Sequence, residues 1–176
     1  MPKAPNPLID DGDRRGVLSA VARAVHRSRL RHPPPGPDRP AQLLALAAVV
    51  ADAVGEQLTA DRVVAACGDP GPVPGEVART AARQAVQYLH IATRLRDLAA
   101  DGDVALLRER ALRLVLYHQW MLRQSANFAF TSHPDARTEQ ARLRINGLGA
   151  PGDRLRELYQ EVRATAGRAD RPEAGA

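Results

Sequence analysis

The chain has 176 residues, a length that suits one domain with a core of its own. Hydrophobic residues make up 44% of it but aromatic residues only 3%, so Leu, Val and Ala must supply most of the core. Such side chains favour closely packed helices over a sheet sandwich. A chain of this size needs neither a metal ion nor a disulfide to form a stable core.

The basic excess is confined to one segment. Residues 14–31 hold six arginines and no acidic residue, which against a net charge of +5 leaves −1 for all the others. As a helix, the segment has an apolar face of Val and Leu opposite a stripe formed by Arg23, Arg27 and Arg31. We expect the apolar face to pack on the fold and the stripe to face outward.

Several features favour a soluble, cytoplasmic protein. Cys67 is the single cysteine and has no internal partner, as is usual in a reducing compartment. The first thirteen residues contain no apolar stretch of the kind found in a signal peptide. The uncharged run 41–51 is too short to span a membrane. The strong preference for Arg over Lys fits the codon bias of a high-GC genome, for example a bacterial one.

Apolar periodicity predicts an all-α fold. We expect a flexible arm at 1–12, a helical-bundle domain at 13–166 and a disordered tail at 167–176. The domain should be a single bundle of five or six helices with an antiparallel helical hairpin at its centre. The segments with helical signals are 14–31, 38–54, 59–66, 76–99, one that starts near 104, 132–146 and one around 155–162, and five or six of them should form the bundle.

Capping residues and turns set the predicted boundaries. Asp38 and Thr59 are placed to cap the segments that follow them, and Ser132 with Asp135 resembles a capping box. The turn-rich stretch 68–75 separates two helices. The short link DGD at 101–103 should make its flanking helices antiparallel neighbours.

Two of these helices should be central. The segment 38–54 is apolar almost all round, which is typical of a helix in the middle of a fold. The helix that starts near Val104 carries Leu and aromatic residues on several sides of its second half. We expect that half to be enclosed by the fold or by another subunit.

The aromatic residues concentrate within this second half. Tyr117, Trp120, Phe128 and Phe130 lie within fourteen residues, a pattern more typical of a core or subunit interface than of a ligand pocket. His118 falls on the apolar face, where a structural histidine with a hydrogen-bond partner is favoured over a catalytic base or metal ligand. The alternative is a ligand pocket, whose candidate residues are His118, Tyr117, Trp120 and Met121.

Nucleic-acid binding is the strongest rival to a generic bundle. The polar side of helix 76–99 presents further cations, and clusters of this kind neutralise phosphates. With the first stripe, the candidate contacts for nucleic acid or an acidic protein are Arg23, Arg27, Arg31, Arg83, His90 and Arg94. The connection between helices 59–66 and 76–99 is longer than in a usual helix-turn-helix. Attachment to an anionic membrane is the weaker hypothesis, since the first predicted helix has no aromatic anchor.

Catalytic and metal-binding motifs are not apparent. The histidines lack the Glu-x-x-His spacing of helical di-iron sites. Ser132, His133 and Asp135 are sequence neighbours, whereas a triad is built in space from distant positions. The glycines of NGLGAPG have neither a preceding strand nor a following Lys, so they indicate a turn rather than a phosphate loop.

The sequence therefore predicts a non-catalytic interaction or regulatory protein without a cofactor or metal ion. We expect it to self-associate through the second half of the helix near 104, because Tyr117 and Trp120 lie off its main apolar face. Two alternatives stay open: a DNA-binding regulator that uses the basic helix faces, and an enzyme or small-molecule sensor with a pocket beside His118.

Overall fold

The computed structural model describes residues 36–128 and 135–169, and that part of the chain is helical without a strand. The predicted arm and the predicted helix at 14–31 lie outside these ranges. Within them the compact unit begins at Pro37. The prediction of a single all-α bundle is confirmed. Its helices are α1 (Arg39–Gly55), α2 (Gln57–Ala66), α3 (Gly75–Asp97), α4 (Gly102–Phe128), α5 (Ala136–Arg142) and α6 (Ala150–Ala169).

Helix α1 begins where its capping residue predicts. The Asp38 carboxylate accepts a hydrogen bond from the Ala41 N–H at 3.0 Å, and Pro40 is tolerated in the first turn because no partner is needed there. The helix is not buried all round, contrary to the sequence-based expectation. Leu44 is 56% exposed, because α1 packs on its neighbours through one face and leaves the other open.

Helix α2 follows α1 almost without a break. Glu56 keeps a helical backbone between them, and its carbonyl already accepts the N–H of Ala60 at 3.1 Å. Thr59 therefore lies inside α2, and its predicted role as the N-cap is wrong. The helix needs no side-chain cap because the preceding turn supplies its first acceptors.

Helices α3 and α4 form the predicted antiparallel hairpin. The link between them is short, and Arg108 Nη1 on α4 donates to the carbonyl of Leu98 at 2.7 Å, which fixes the turn. Further along, the ring of Tyr88 stacks on that of His118. The small residues on α3 let the helices approach closely. These buried alanines are Ala78, Ala81, Ala85 and Ala92.

Helix α6 completes the bundle by packing on α1 and α4. Its buried side chains Leu155, Leu158 and Val162 repeat every three to four residues, as the apolar pattern predicts. Helix α4 contacts α1, α2, α3 and α6, and α1 contacts α2, α3, α4 and α6. The expectation that these two helices are central is confirmed.

The region around α5 departs from the predicted boundaries. Asp135 caps the helix by accepting the Thr138 N–H at 2.8 Å, and Ser132 lies outside the described residues. The helix ends at Arg142 rather than near Asn146. The last helix also differs from the prediction. Helix α6 continues to Ala169, so residues 167–169, which we expected in the disordered tail, are helical.

One described stretch, Arg39–Ala66, is long and apolar enough to cross a membrane by length and composition. A core helix passes the same test, and this stretch turns Leu43, Leu46 and Val50 into the bundle interior. Length and composition are therefore weak evidence for a membrane span.

Candidate functional site

His118 lies inside the bundle with no exposed surface. Its Nδ1 is 2.7 Å from the carbonyl oxygen of Leu114, one turn earlier in α4. Because a carbonyl oxygen can only accept, Nδ1 carries the proton and Nε2 is left as an acceptor. Nε2 lies 3.2 Å from the side-chain nitrogen of Gln57 on α2, which donates to it.

Gln57 connects His118 to the first turn of α6. Its amide nitrogen also donates to the carbonyl of Gly152 at 2.9 Å, and its amide oxygen accepts from Arg156 Nη1 at 3.3 Å. Both amide protons and the amide oxygen are thus used, although the residue is only 3% exposed. A buried polar group costs stability unless it is paired in this way. The network joins α2, α4 and α6.

Burial keeps His118 neutral. It lowers the pKa of the imidazole, and the positive charge of Arg156 lowers it further, against a raising effect of the Leu114 carbonyl. The neighbouring Tyr88 donates to the carbonyl of Ala53 at 2.9 Å, and burial raises the pKa of its phenol. Both ring nitrogens of His118 are thus hydrogen-bonded to protein groups.

The other residues of the predicted pocket are less buried than His118. Tyr117 is 39% exposed and Trp120 is 52% exposed, whereas Met121 is partly buried against the core. The Tyr117 ring contacts both neighbours, with centroids 6.5 Å from His118 and 5.8 Å from Trp120. Of the four, His118 faces the bundle interior, whereas Tyr117 and Trp120 lie largely at the surface.

Sequence reasoning expected the second half of α4 to be enclosed by the fold or by another subunit. Within the described residues the fold leaves it open on the side opposite the buried Val115 and Leu122. At 100° per residue, that side carries Tyr117 and Trp120 in the second half of α4 and Leu106 in its first half, and we call these three residues the outer face of α4. Leu106 is 69% exposed, the largest value among the exposed large hydrophobic residues.

A cleft of about 290 Å³ opens beside the buried network. It reaches Gln57 and Arg156 but not His118, which lies behind the amide. Arg156 also pairs with Asp153, so its charge is partly neutralised. The residues that line this cleft are Val54, Gln57, Leu58, Asp61, Leu148, Gly149, Gly152 and Arg156.

The predicted basic stripe on α3 is exposed as expected. Arg83, His90 and Arg94 all lie on the solvent side of the helix. Arg94 forms an ion pair with Asp52 on α1, with 2.6 Å between Nη1 and Oδ2. That pairing reduces the positive charge available to a partner. The companion residues Arg23, Arg27 and Arg31 lie outside the described residues.

Arg142 is the most consequential residue that sequence reasoning missed. It is only 4% exposed, and its guanidinium donates to the carbonyls of Cys67 and Asp69, each at 2.7 Å, and of Gly71 at 3.1 Å. Glu139, one turn earlier, accepts from Nε at 2.8 Å. Arg142 thereby holds the end of α2 and the turn after it against α5. The only sequence signal is the spacing of Glu139 and Arg142 on one helix face.

A second tie joins α2 to the loop before α6. The Asp61 carboxylate accepts the N–H of Leu148 at 2.7 Å. Gly147 precedes this contact with a φ of +111°, and a Cβ there would overlap the same carboxylate. The glycines of NGLGAPG thus serve a close turn, in agreement with the sequence interpretation.

Over residues 36–128 and 135–169, no group of three or more His, Cys, Asp or Glu residues is placed to hold a metal ion. Comparison with known proteins adds no assignment. No family model, no curated protein and no solved structure matches the chain.

Proposed function

We propose that this protein is a non-catalytic helical interaction protein that self-associates through the outer face of α4. The observation that carries the proposal is the exposure of Trp120, at 52%, with Tyr117 beside it and Leu106 farther along the same side of a central helix. Isolated exposed apolar residues are normal on protein surfaces, but an aromatic pair on one stripe is typical of interfaces.

The aromatic side chains suit an interface core. Trp and Tyr bury large areas with few rotatable bonds, and they dominate the binding energy of many protein interfaces. The rings of Tyr117 and Trp120 already contact each other, so part of the ordering cost is met before association. Leu112 and Leu116 are partly buried next to them and extend the apolar surface along α4.

The charges that flank this surface favour a second copy in antiparallel orientation. Glu109 lies before Leu116 and Arg123 lies the same number of residues after it, and both are exposed. A two-fold axis through the outer face, at the level of Leu116 along α4, would bring Glu109 of one copy close to Arg123 of the other. Two-fold symmetry forms the Glu109–Arg123 pair twice, so both ends of the interface bring opposite charges together.

We do not extend the proposal to the two alternatives from the sequence. Arg94 in the α3 stripe forms an ion pair with Asp52, so less positive charge is available for phosphate binding. His118 is enclosed and hydrogen-bonded at both ring nitrogens, which weakens the case for a sensor or enzyme built on it.

The chain contains a direct reporter for the proposed interface, because Trp120 is its only tryptophan. On dilution over about three orders of magnitude in concentration, we expect its emission to shift to longer wavelength as the complex dissociates. Sedimentation velocity should show a dimer-to-monomer transition over the same range. A strict monomer at high concentration would refute the proposal.

Substitutions test which surface is used. Leu106→Ser should weaken the dimer and preserve the fluorescence reporter, whereas Leu58→Ser is the matched control because Leu58 is 61% exposed on α2. Glu109→Arg and Arg123→Glu should each weaken the dimer through like-charge repulsion, and the double variant should restore it. Equal dimerisation of Leu106→Ser and wild type would contradict the assignment of this face.

A further inference from the structure

A second cleft, of about 250 Å³, lies between α4 and α6. Its volume is just below the roughly 300–1,000 Å³ usual for ligand pockets, so it suits a compact molecule. Cations dominate its lining, which consists of Arg110, Arg113, Leu114, Arg154 and Glu157.

The charge in this cleft is unbalanced. Three guanidinium groups face one carboxylate, that of Glu157. Arg110 is held by an ion pair with Glu161, with 2.9 Å between Nη1 and Oε1. Neither Arg113 nor Arg154 forms an ion pair with a residue in the described ranges. Cations gathered in a concave site focus a positive potential that attracts anions.

The geometry also suits oxyanions. Arg113 comes from α4 and Arg154 from α6, so two planar donor groups approach the cleft from opposite walls. Each guanidinium can donate two parallel N–H bonds to a phosphate or carboxylate group. Leu114 adds an apolar side chain to the lining, which can contact the carbon skeleton of a small ligand.

We propose that this cleft binds a compact oxyanion carrying at least two negative charges. Phosphate esters and polycarboxylates share this chemistry, and both are recognised by paired arginines. Arg113 lies seven residues from both Leu106 and Trp120 and therefore borders the α4 outer face, whereas Arg154 and Glu157 come from α6. Binding in the cleft does not require self-association, and the Arg154 and Glu157 variants test it apart from the α4 outer face.

Isothermal titration calorimetry with inorganic pyrophosphate and with citrate, at constant ionic strength, tests the proposal. We expect at least one probe to bind with one site per chain. Arg113→Gln and Arg154→Gln should each weaken binding about tenfold or more, because each removes charge-assisted hydrogen bonds. Arg96→Gln, at an exposed position on α3, removes the same charge elsewhere and should leave the affinity unchanged.

A substitution of opposite sign separates a built site from a general charge effect. Glu157→Gln removes the one carboxylate in the lining and should tighten binding severalfold, whereas Glu76→Gln on α3 should not. Circular dichroism checks that each variant folds. Preference for pyrophosphate identifies phosphate chemistry, and preference for citrate identifies carboxylates.

Three results would overturn the proposal. The first is that neither probe binds at millimolar concentration. The second is that the double variant R113Q/R154Q binds as well as wild type. The third is that Arg96→Gln weakens binding as much as Arg154→Gln, which would reduce the effect to net charge. Because Arg154 lies off the α4 outer face, sedimentation of Arg154→Gln shows separately whether self-association is intact.

Discussion

Replacement of Arg142 by Met tests whether one buried guanidinium holds the α2 end to α5. Met keeps most of the aliphatic volume and removes every hydrogen bond of the guanidinium. The carbonyl of Cys67 is buried and would lose its charge-assisted bond, at a cost of about 1.5–3 kcal/mol. The carbonyls of Asp69 and Gly71 border solvent and can be rehydrated, so each contributes about 0.5–1.5 kcal/mol.

The expected loss in the free energy of unfolding is therefore about 2.5–6 kcal/mol, a large part of the stability of a small domain. Urea denaturation followed by far-ultraviolet circular dichroism measures it, with Arg137→Met as control because Arg137 is exposed on the same helix. The control should change stability by less than about 0.5 kcal/mol. A loss below about 1 kcal/mol for Arg142→Met would refute the argument that these carbonyls depend on it.

Two further predictions concern the loop before α6 and the buried imidazole. Gly147→Ala should cost about 1 kcal/mol for its positive φ and about 1–3 kcal/mol more for overlap with Asp61. Gly149 has a φ of +59° with open space around it, so Gly149→Ala should cost only the roughly 1 kcal/mol for the positive φ. If urea denaturation gives the same loss of stability for both variants, this account is contradicted. His118 has an ordinary pKa of 6.5 that burial lowers in the folded state, so the unfolded chain binds the proton more readily. Stability should be full above pH 6.5 and decline as the pH falls below it, and His118→Gln should flatten that part of the profile.

The sequence predicted most of the fold because apolar periodicity and turn residues are local signals. Asp38 and the short link before α4 placed their helices correctly, since a cap or a tight turn acts on adjacent residues. Thr59 failed as a cap because α2 takes its first acceptors from the end of α1. Whether α2 follows α1 without a break depends on how the two helices pack, and a local sequence pattern does not predict that packing.

The candidate site was less predictable. The apolar face of α4 correctly placed His118 inside, but its partner Gln57 lies 61 residues earlier in the chain. From the sequence, Arg142 is indistinguishable from the many surface arginines of this chain. Its acceptors, however, are backbone carbonyls more than 70 residues earlier in the chain. Backbone acceptors have no residue signature, so only the folded arrangement identifies them.

Cys67 lies at the end of α2, where its carbonyl is held by Arg142. Its thiol is fully buried, and burial raises its pKa, so the reactive thiolate is scarce in the closed state. A thiol reagent can reach it only when this corner of the bundle opens. Because Cys67 is the only cysteine, the rate at which the protein is alkylated directly measures that local opening.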